Sequence, residues 1–293
     1  MKKGDWLLTG EAGTYIFYDM ESLVKAFSKI IVLLVCVSNA AFGAESQWQD
    51  HEGIVQTRII TATDSLSDKG QVLMGWEARL ASGWKTYWRS PGEAGLPVRV
   101  FVDGNEQEIL YPYPERFDLF GLETYGYSDR VLLPFRISKM VSSGTVIQAD
   151  FMVCKEVCIP FKSTYQLENQ DAGDHDIILK NWLQKVPVQE NSDQTGLIID
   201  SVKVMGPVGR QKLVVDLTGQ KQLTSADILV EAGESFHFGK PAVRLLENGT
   251  KARLVLGGMS ASGAPDLRGQ VLRLTATDGH GVTIDKTIGP LSK

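Results

Sequence analysis

Two cysteines separated by three residues, Cys154 and Cys158 in DFMVCKEVCIPF, are the residues of this 293-residue chain whose types and spacing could do chemistry. Thiolates are nucleophiles and soft metal ligands, and two of them make a disulfide. A bridge across C-x3-C closes only if the chain turns: four residues of strand span roughly 13 Å, whereas bridged Cα atoms lie within about 7 Å. Both flanks alternate like strands, so the pair is expected at the tip of a hairpin, with Pro160 on an edge strand. A ring this small contributes about 2 kcal/mol in chain-entropy terms, against about 4.7 for a 100-residue loop. It is a poor staple and a better switch, because small rings are easily strained and strained bridges are more reducible. Redox chemistry therefore leads, with a structural clip and a metal site left open. Lys155 favours a neighbouring thiolate and Glu156 offsets it, so local charge does not choose the nucleophile.

The third cysteine, Cys36, lies in the apolar run KIIVLLVCV (Lys29 to Val37), preceded by Lys25 and followed by SNAAFGA. Positive, apolar, small is the order of a secretory signal peptide, and the run is too short to span a bilayer. Residues 1–43 read as this leader, cleaved after Ala40 or Gly43, with the first 19 residues an upstream mis-start and Met20 a more ordinary beginning. Cys36 leaves with it; Val35 before it is too large for lipid attachment. The expectation is a periplasmic protein, not membrane-spanning once processed, with an even pair of cysteines in an oxidising compartment. A net charge of −5 without a long Lys/Arg run argues against nucleic acid as a partner.

The elements that must position the pair read as strands. QVLMGWEARL puts Val72, Met74, Trp76, Ala78 and Leu80 on one face; WKTYWRS puts Trp84, Thr86 and Trp88 on one face. VIQADFMV and IPFKSTYQLE alternate on either side of the cysteines. Period-two runs separated by turn residues predict an antiparallel sandwich over 45–170. Arg89, Ser90, Pro91 and Gly92 read as a turn. Residues 171–196 read as a short helix, with Ile177, Ile178, Trp182 and Val186 on its apolar face, and a polar linker. Over 197–293 the strand pattern returns (LIIDSVKV, QKLVVDLTG, KARLVLGG, QVLRLTATD, VTIDKTI), with a hairpin signal at Asp278-Gly279-His280-Gly281. The fold class is all-β: two antiparallel sandwiches, the second a spacer or docking module without visible chemistry. His51, His175, His237 and His280 read as surface or turn residues.

Three segments together resemble the N-terminal periplasmic domain of the DsbD/ScsB family of thiol:disulfide interchange proteins: GWKTYWRSPGEAGLP, YPYPERFDLFGLETYGYSDRVLLPF and FMVCKEVCIPF. The resemblance implies an immunoglobulin-like fold with Cys154 and Cys158 as a redox pair, Cys158 engaging partners and Cys154 resolving. It implies a protein-disulfide oxidoreductase that needs no cofactor, taking electrons from a membrane-embedded partner and passing them to periplasmic thioredoxin-fold proteins. Copper tolerance and cytochrome c biogenesis are settings it brings with it. It implies a cap loop at Asp118-Leu119-Phe120-Gly121, with Phe120 and, more weakly, Asp118 shielding the sulfurs, and Tyr87 lining the site. The chain departs from DsbD in having three residues between the cysteines, as the ScsB branch does. It ends without the family's membrane and thioredoxin-like domains, so a separate membrane protein is expected to supply electrons. VCKEVCIP is also similar to the C-x3-C-P copper motif of Sco-type assembly proteins, with His237 as a distant imidazole; there a helix follows, whereas FKSTYQLE alternates like a strand. Copper(I) binding by Cys154 and Cys158 is the alternative function.

Overall fold

The computed structural model describes residues 43–63, 70–138, 145–169, 174–190, 195–233, 236–260 and 266–291. The apolar leader, Met20 and Cys36 lie outside these residues. In chain order the first strands are β1 (Ala44–Ser46), β2 (Gln49–His51), β3 (Val55–Thr61), β4 (Val72–Leu80), β5 (Lys85–Gly92), β6 (Arg99–Val102) and β7 (Asn105–Gln107). There follow β8 (Glu115–Leu119), β9 (Leu122–Ser128), β10 (Arg130–Ile137), β11 (Ile147–Cys154), β12 (Cys158–Tyr165), β13 (Leu167–Asn169) and the helix α1 (His175–Leu183). The remainder holds β14 (Val188–Gln189), β15 (Leu197–Met205), β16 (Lys212–Gly219), β17 (Asp227–Glu231), β18 (Phe236–Phe238), β19 (Ala242–Leu246), β20 (Lys251–Ser260), β21 (Leu272–Thr277) and β22 (Thr283–Ile288).

The first half is an immunoglobulin-like sandwich. One sheet runs β10-β4-β3-β1-β13, with β2 on β3; the other runs β7-β6-β11-β5-β9-β8, with β12 on β11. Alternation decides which side chains face inward. Met74, Trp76 and Ala78 of β4 meet Trp88 of β5, Tyr125 and Tyr127 of β9, and Ala149, Phe151 and Val153 of β11 in one core. The other face of β4 is buried too: Leu73 joins Ile60, Leu132 and Leu179 of α1 in a smaller cluster. The helix is thus a cover on the back of the first sandwich rather than a plain connector. Its inward face keeps Ile178 and Trp182 of the expected set, packed against this cluster, and adds Leu179. Leu179 is fully buried, Ile177 stands 59% exposed, and Val186 falls beyond the last turn. The 3.6-residue period allows two neighbouring faces in so short a segment, and packing on Leu73 and Leu132 selects between them.

The second half is another sandwich, with sheets β14-β22-β21-β17 and β15-β16-β20-β18, β19 adding to β20. Leu213, Val215 and Leu217 alternate inward against Ile228, Leu272, Leu274 and Ile284. Thr277 pairs with Thr283 around the Asp278–Gly281 turn, where Asp278 Oδ1 accepts from the His280 and Val282 amides at 2.7 and 3.0 Å. Among the described residues no helix is long and apolar enough to cross a membrane.

Candidate functional site

The cysteines close a hairpin of directly opposed strands. β11 and β12 pair in unbroken register from Ile147↔Tyr165 to Cys154↔Cys158, and Lys155 N–H donates to the Val157 carbonyl at 3.3 Å across the tip. The pair is joined as a disulfide with its Cα atoms 4.2 Å apart. The two sulfurs are not equivalent: Cys154 is fully buried, whereas Cys158 is exposed on the edge strand, two residues before Pro160. Proline is tolerated there because β12 pairs with β11 alone. The hairpin is anchored behind the bridge. Tyr165 Oη lies 3.0 Å from the Trp76 indole nitrogen and 2.8 Å from Thr57 Oγ1. Phe151 and Phe161 stack at 5.6 Å, with the His51 ring against both.

The other edge of Cys154 is β5. Val153 pairs with Thr86 and Cys154 with Lys85, so Thr86 and Trp88 point to the core while Lys85 and Tyr87 share the cysteines' face. The Tyr87 hydroxyl lies 3.7 Å from Cys158 Sγ. Its ring is buried beneath Gly95, where an added Cβ would overlap it. Burial pushes the Tyr87 hydroxyl above its ordinary pKa, so it stays a donor at neutral pH. Lys85 is only 6% exposed, and its Nζ lies 4.8 Å from the centre of the Phe117 ring. Burial pulls its pKa down, and the Asp118 carboxylate, beyond ion-pair distance, pulls it partly back. Lys155, the cation next to Cys154 in sequence, is exposed and reaches the Ser82 carbonyl instead at 3.5 Å.

The Asp118–Gly121 segment is the turn of the β8–β9 hairpin. Leu119 pairs with Leu122, and Phe120 and Gly121 both have positive φ, 55° and 86°. Two such residues make the tight turn that suits a twisted two-stranded ribbon. Asp118 Oδ1 accepts from the Gly121 amide at 3.0 Å and holds the turn. Phe120, at the tip, is 78% exposed. In this conformation it leaves Cys158 open, which differs from the shielding that the sequence resemblance implied. The physical reason is the turn itself, which projects its first central residue off the end of the ribbon. The aromatic ring that lies beside the buried cation is Phe117, three residues earlier.

The segment expected to turn at Arg89–Gly92 continues as strand, with a register shift against β9 between Tyr87 and Gly92. Arg89 crosses to the second sandwich, donating to Glu231 Oε1 at 2.9 Å and Thr275 Oγ1 at 2.7 Å. Two clefts of about 470 and 420 Å³ lie along this seam, and neither is lined by the cysteines. His237 of β18 lines the smaller one. His175 is not the surface residue expected but is buried, with its Nε2 3.0 Å from Glu45 Oε2, and His51 is half-buried with its ring against the stacked Phe151 and Phe161. Among the described residues no three His, Cys, Asp or Glu side chains are grouped to hold a metal ion.

Sequence reasoning brought Cys154, Cys158 and Tyr87 to one place, and the structure adds Lys85 and Phe117. The alternation of WKTYWRS carried a signal for Lys85, since it shares a face with Tyr87; the register that sets it against Cys154 is a long-range pairing that no local pattern prints.

Residues 54–170 match the family model described as thiol:disulfide interchange protein DsbD, N-terminal, and residues 185–288 match a domain of unknown function, DUF8393. No curated protein sequence matches the chain. The crystal structure of the N-terminal periplasmic domain of ScsB from Proteus mirabilis is similar, with a TM-score of 0.68 at 24% identity over 84% of this chain and 98% of that one. The likeness runs across both sandwiches.

Proposed function

We propose that this chain, whose residues 54–170 match the DsbD N-terminal family model, is a periplasmic thiol–disulfide exchange protein that relays electrons through Cys154 and Cys158 from a membrane-embedded DsbD/ScsB-like reductase to thioredoxin-fold acceptors. The observation that carries the reading is the asymmetry of the pair: one sulfur exposed at a hairpin edge, the other buried directly opposite. Exposure makes Cys158 the sulfur that meets a partner. In the reduced state its thiolate attacks a sulfur of the partner's disulfide, forming a mixed disulfide and releasing the partner's other sulfur as a thiolate. Cys154 thiolate then attacks Cys158 Sγ, the intermolecular bond breaks, and the partner leaves with two electrons as a dithiol. The Cys154–Cys158 disulfide that remains takes two electrons from the membrane donor by the same two steps in reverse. The exposed Phe120–Gly121 turn, on the hairpin whose Phe117 ring lies against Lys85, is the proposed cap, a surface that a docking partner contacts and displaces, with Asp118 holding its shape. The clefts lie away from the sulfurs, which fits a protein substrate better than a small one.

The test is trapping. A Cys154→Ser variant recovered from periplasm should carry a disulfide-linked thioredoxin-fold protein, released by dithiothreitol. Recovery of no mixed disulfide, with the pair intact and reducible in the parent protein, would overturn the relay. Copper(I) binding through the same two thiolates is the rival. It predicts one copper per reduced chain, lost on replacing either cysteine, and no trapped partner.

A further inference from the structure

Resting on the exchange chemistry above, we infer that Lys85 is the charge partner of the Cys154 thiolate: a buried ammonium, set opposite the buried sulfur, that favours the reduced pair and readies Cys154 to resolve the mixed disulfide.

Three observations carry this. Lys85 and Cys154 are directly paired across β5 and β11, which places their Cβ atoms about 5 Å apart on one face of the sheet. Tyr87, two residues on and therefore on the same face, reaches Cys158 Sγ, so the face is the one that carries the sulfurs. Lys85 is 6% exposed, yet among the described residues no carboxylate lies within ion-pair distance of its Nζ. Its neighbours are the Phe117 ring and, farther off, Asp118. Such burial of a cation is costly without a compensating charge. In the disulfide state the compensation is partial, a ring face and a distant carboxylate. Reduction adds two electrons and two protons to the bridge; loss of one proton then places an anion beside Lys85 and completes the pair. The remaining charged groups around the site do not replace it. Lys155 is turned to Ser82, Glu156 is exposed at the tip, and Glu115 is engaged by Ser128, the residue across β9 from Lys85.

In the exchange step, Cys154 thiolate attacks Cys158 Sγ and the partner sulfur departs with the bonding pair, taking a proton from water. Lys85 keeps its proton throughout and acts by holding the attacking sulfur ionised. An opposite charge at such range shifts a thiol by about one unit or more. The experiment compares the full protein with Lys85→Met and Lys85→Arg. In a Cys158→Ser background, thiolate absorbance against pH should show the Cys154 pKa raised by about one unit in Lys85→Met and restored in Lys85→Arg. In the two-cysteine protein, equilibrium with glutathione should shift about tenfold toward the disulfide in Lys85→Met at a pH where the parent is ionised, equivalent to about 30 mV. That difference should vanish at acid pH, where both proteins hold neutral dithiols. A merely structural lysine would instead lower the melting temperature and leave the titration and the potential in place, and either result would overturn the assignment. Lys85→Gln serves if Lys85→Met does not fold. Because glutathione replaces the partner, these readouts stand or fall separately from the trapping experiment.

Discussion

Arg116 grips Asp227 across the seam between the two sandwiches, donating from Nε and Nη2 to the two carboxylate oxygens at 2.6 and 2.9 Å. The same guanidinium donates to the Ile228 carbonyl at 2.8 Å and is paired with Glu123. Glu123 in turn accepts from the Lys240 amide at 3.0 Å, and Tyr125 donates to the Phe238 carbonyl at 2.8 Å. Arg116 lies on β8 and Glu123 on β9, the ribbon whose turn holds Phe120. The second sandwich is thus fastened to the hairpin that flanks the cysteines, and it does more than space the first sandwich from something else.

Arg116→Met should therefore separate the two halves. It leaves Asp227 and Glu123 without their cation in a partly buried seam, a loss that costs about 2 to 5 kcal/mol at comparable interfaces. Scanning calorimetry should show the parent melting in one transition and the variant in two, with residues 185–190 newly open to proteolysis. An unchanged single transition would refute the clasp.

Phe120 lies at positive φ, an arrangement that a bulky side chain adopts at a cost of about 1 to 2 kcal/mol. Phe120→Asn keeps the turn and relieves that cost, since asparagine visits this region readily. Stability in urea should rise by up to about 1 kcal/mol. Reduction by glutathione should be unchanged, while exchange with a thioredoxin-fold partner should slow if the ring is a docking contact. Equal exchange rates in both proteins would remove Phe120 from the site.

Much of this arrangement was legible in the amino-acid order. The alternation around DFMVCKEVCIPF required a turn at the cysteines, and the strands of β4, β11 and β12 face as their patterns demand. The helix was readable as a helix, but Leu179 as its buried residue was not, because nine residues leave the inward face to whatever it packs on. Arg89 looked like the start of a turn because Pro91 and Gly92 follow it; beyond Thr86 the pairing of β5 with β11 ends and its register against β9 shifts, which admits both residues within a strand. The seam was invisible for a plainer reason. Arg116 and Asp227 are 111 residues apart, and no local pattern encodes a pairing at that range.

Tyr87→Phe removes the hydroxyl that faces Cys158 Sγ and leaves the ring in its place under Gly95. A hydrogen bond to a charged acceptor is worth about 1.5 to 3 kcal/mol, and one pKa unit corresponds to about 1.4. The Cys158 thiol, followed by its absorbance in a Cys154→Ser background, should therefore titrate about one unit higher in the variant. Its attack on a model disulfide at neutral pH should slow accordingly. An unshifted titration would make Tyr87 a packing residue only.

The hairpin's anchor should make stability depend on pH through His51. Desolvation against Phe151 and Phe161 lowers its pKa below the ordinary histidine value, with Asp50 opposing. Its Nε2 lies 2.9 Å from Thr57 Oγ1, the hydroxyl that also meets Tyr165. A histidine with a depressed folded pKa binds its proton more readily in the unfolded chain. Its contribution is therefore fully present above about pH 6.5, the unfolded value, and is lost as pH falls through the folded one. The urea midpoint of the parent should drop between pH 7.5 and pH 5, and His51→Phe should flatten that part of the dependence, since a phenyl ring keeps the stack and has nothing to protonate. Because β12 carries Cys158 at its other end, the oxidised hairpin should loosen over the same interval, visible as faster amide exchange from Phe161 to Tyr165. A parent midpoint that does not change from pH 7.5 to pH 5 would show that the imidazole is charged without penalty.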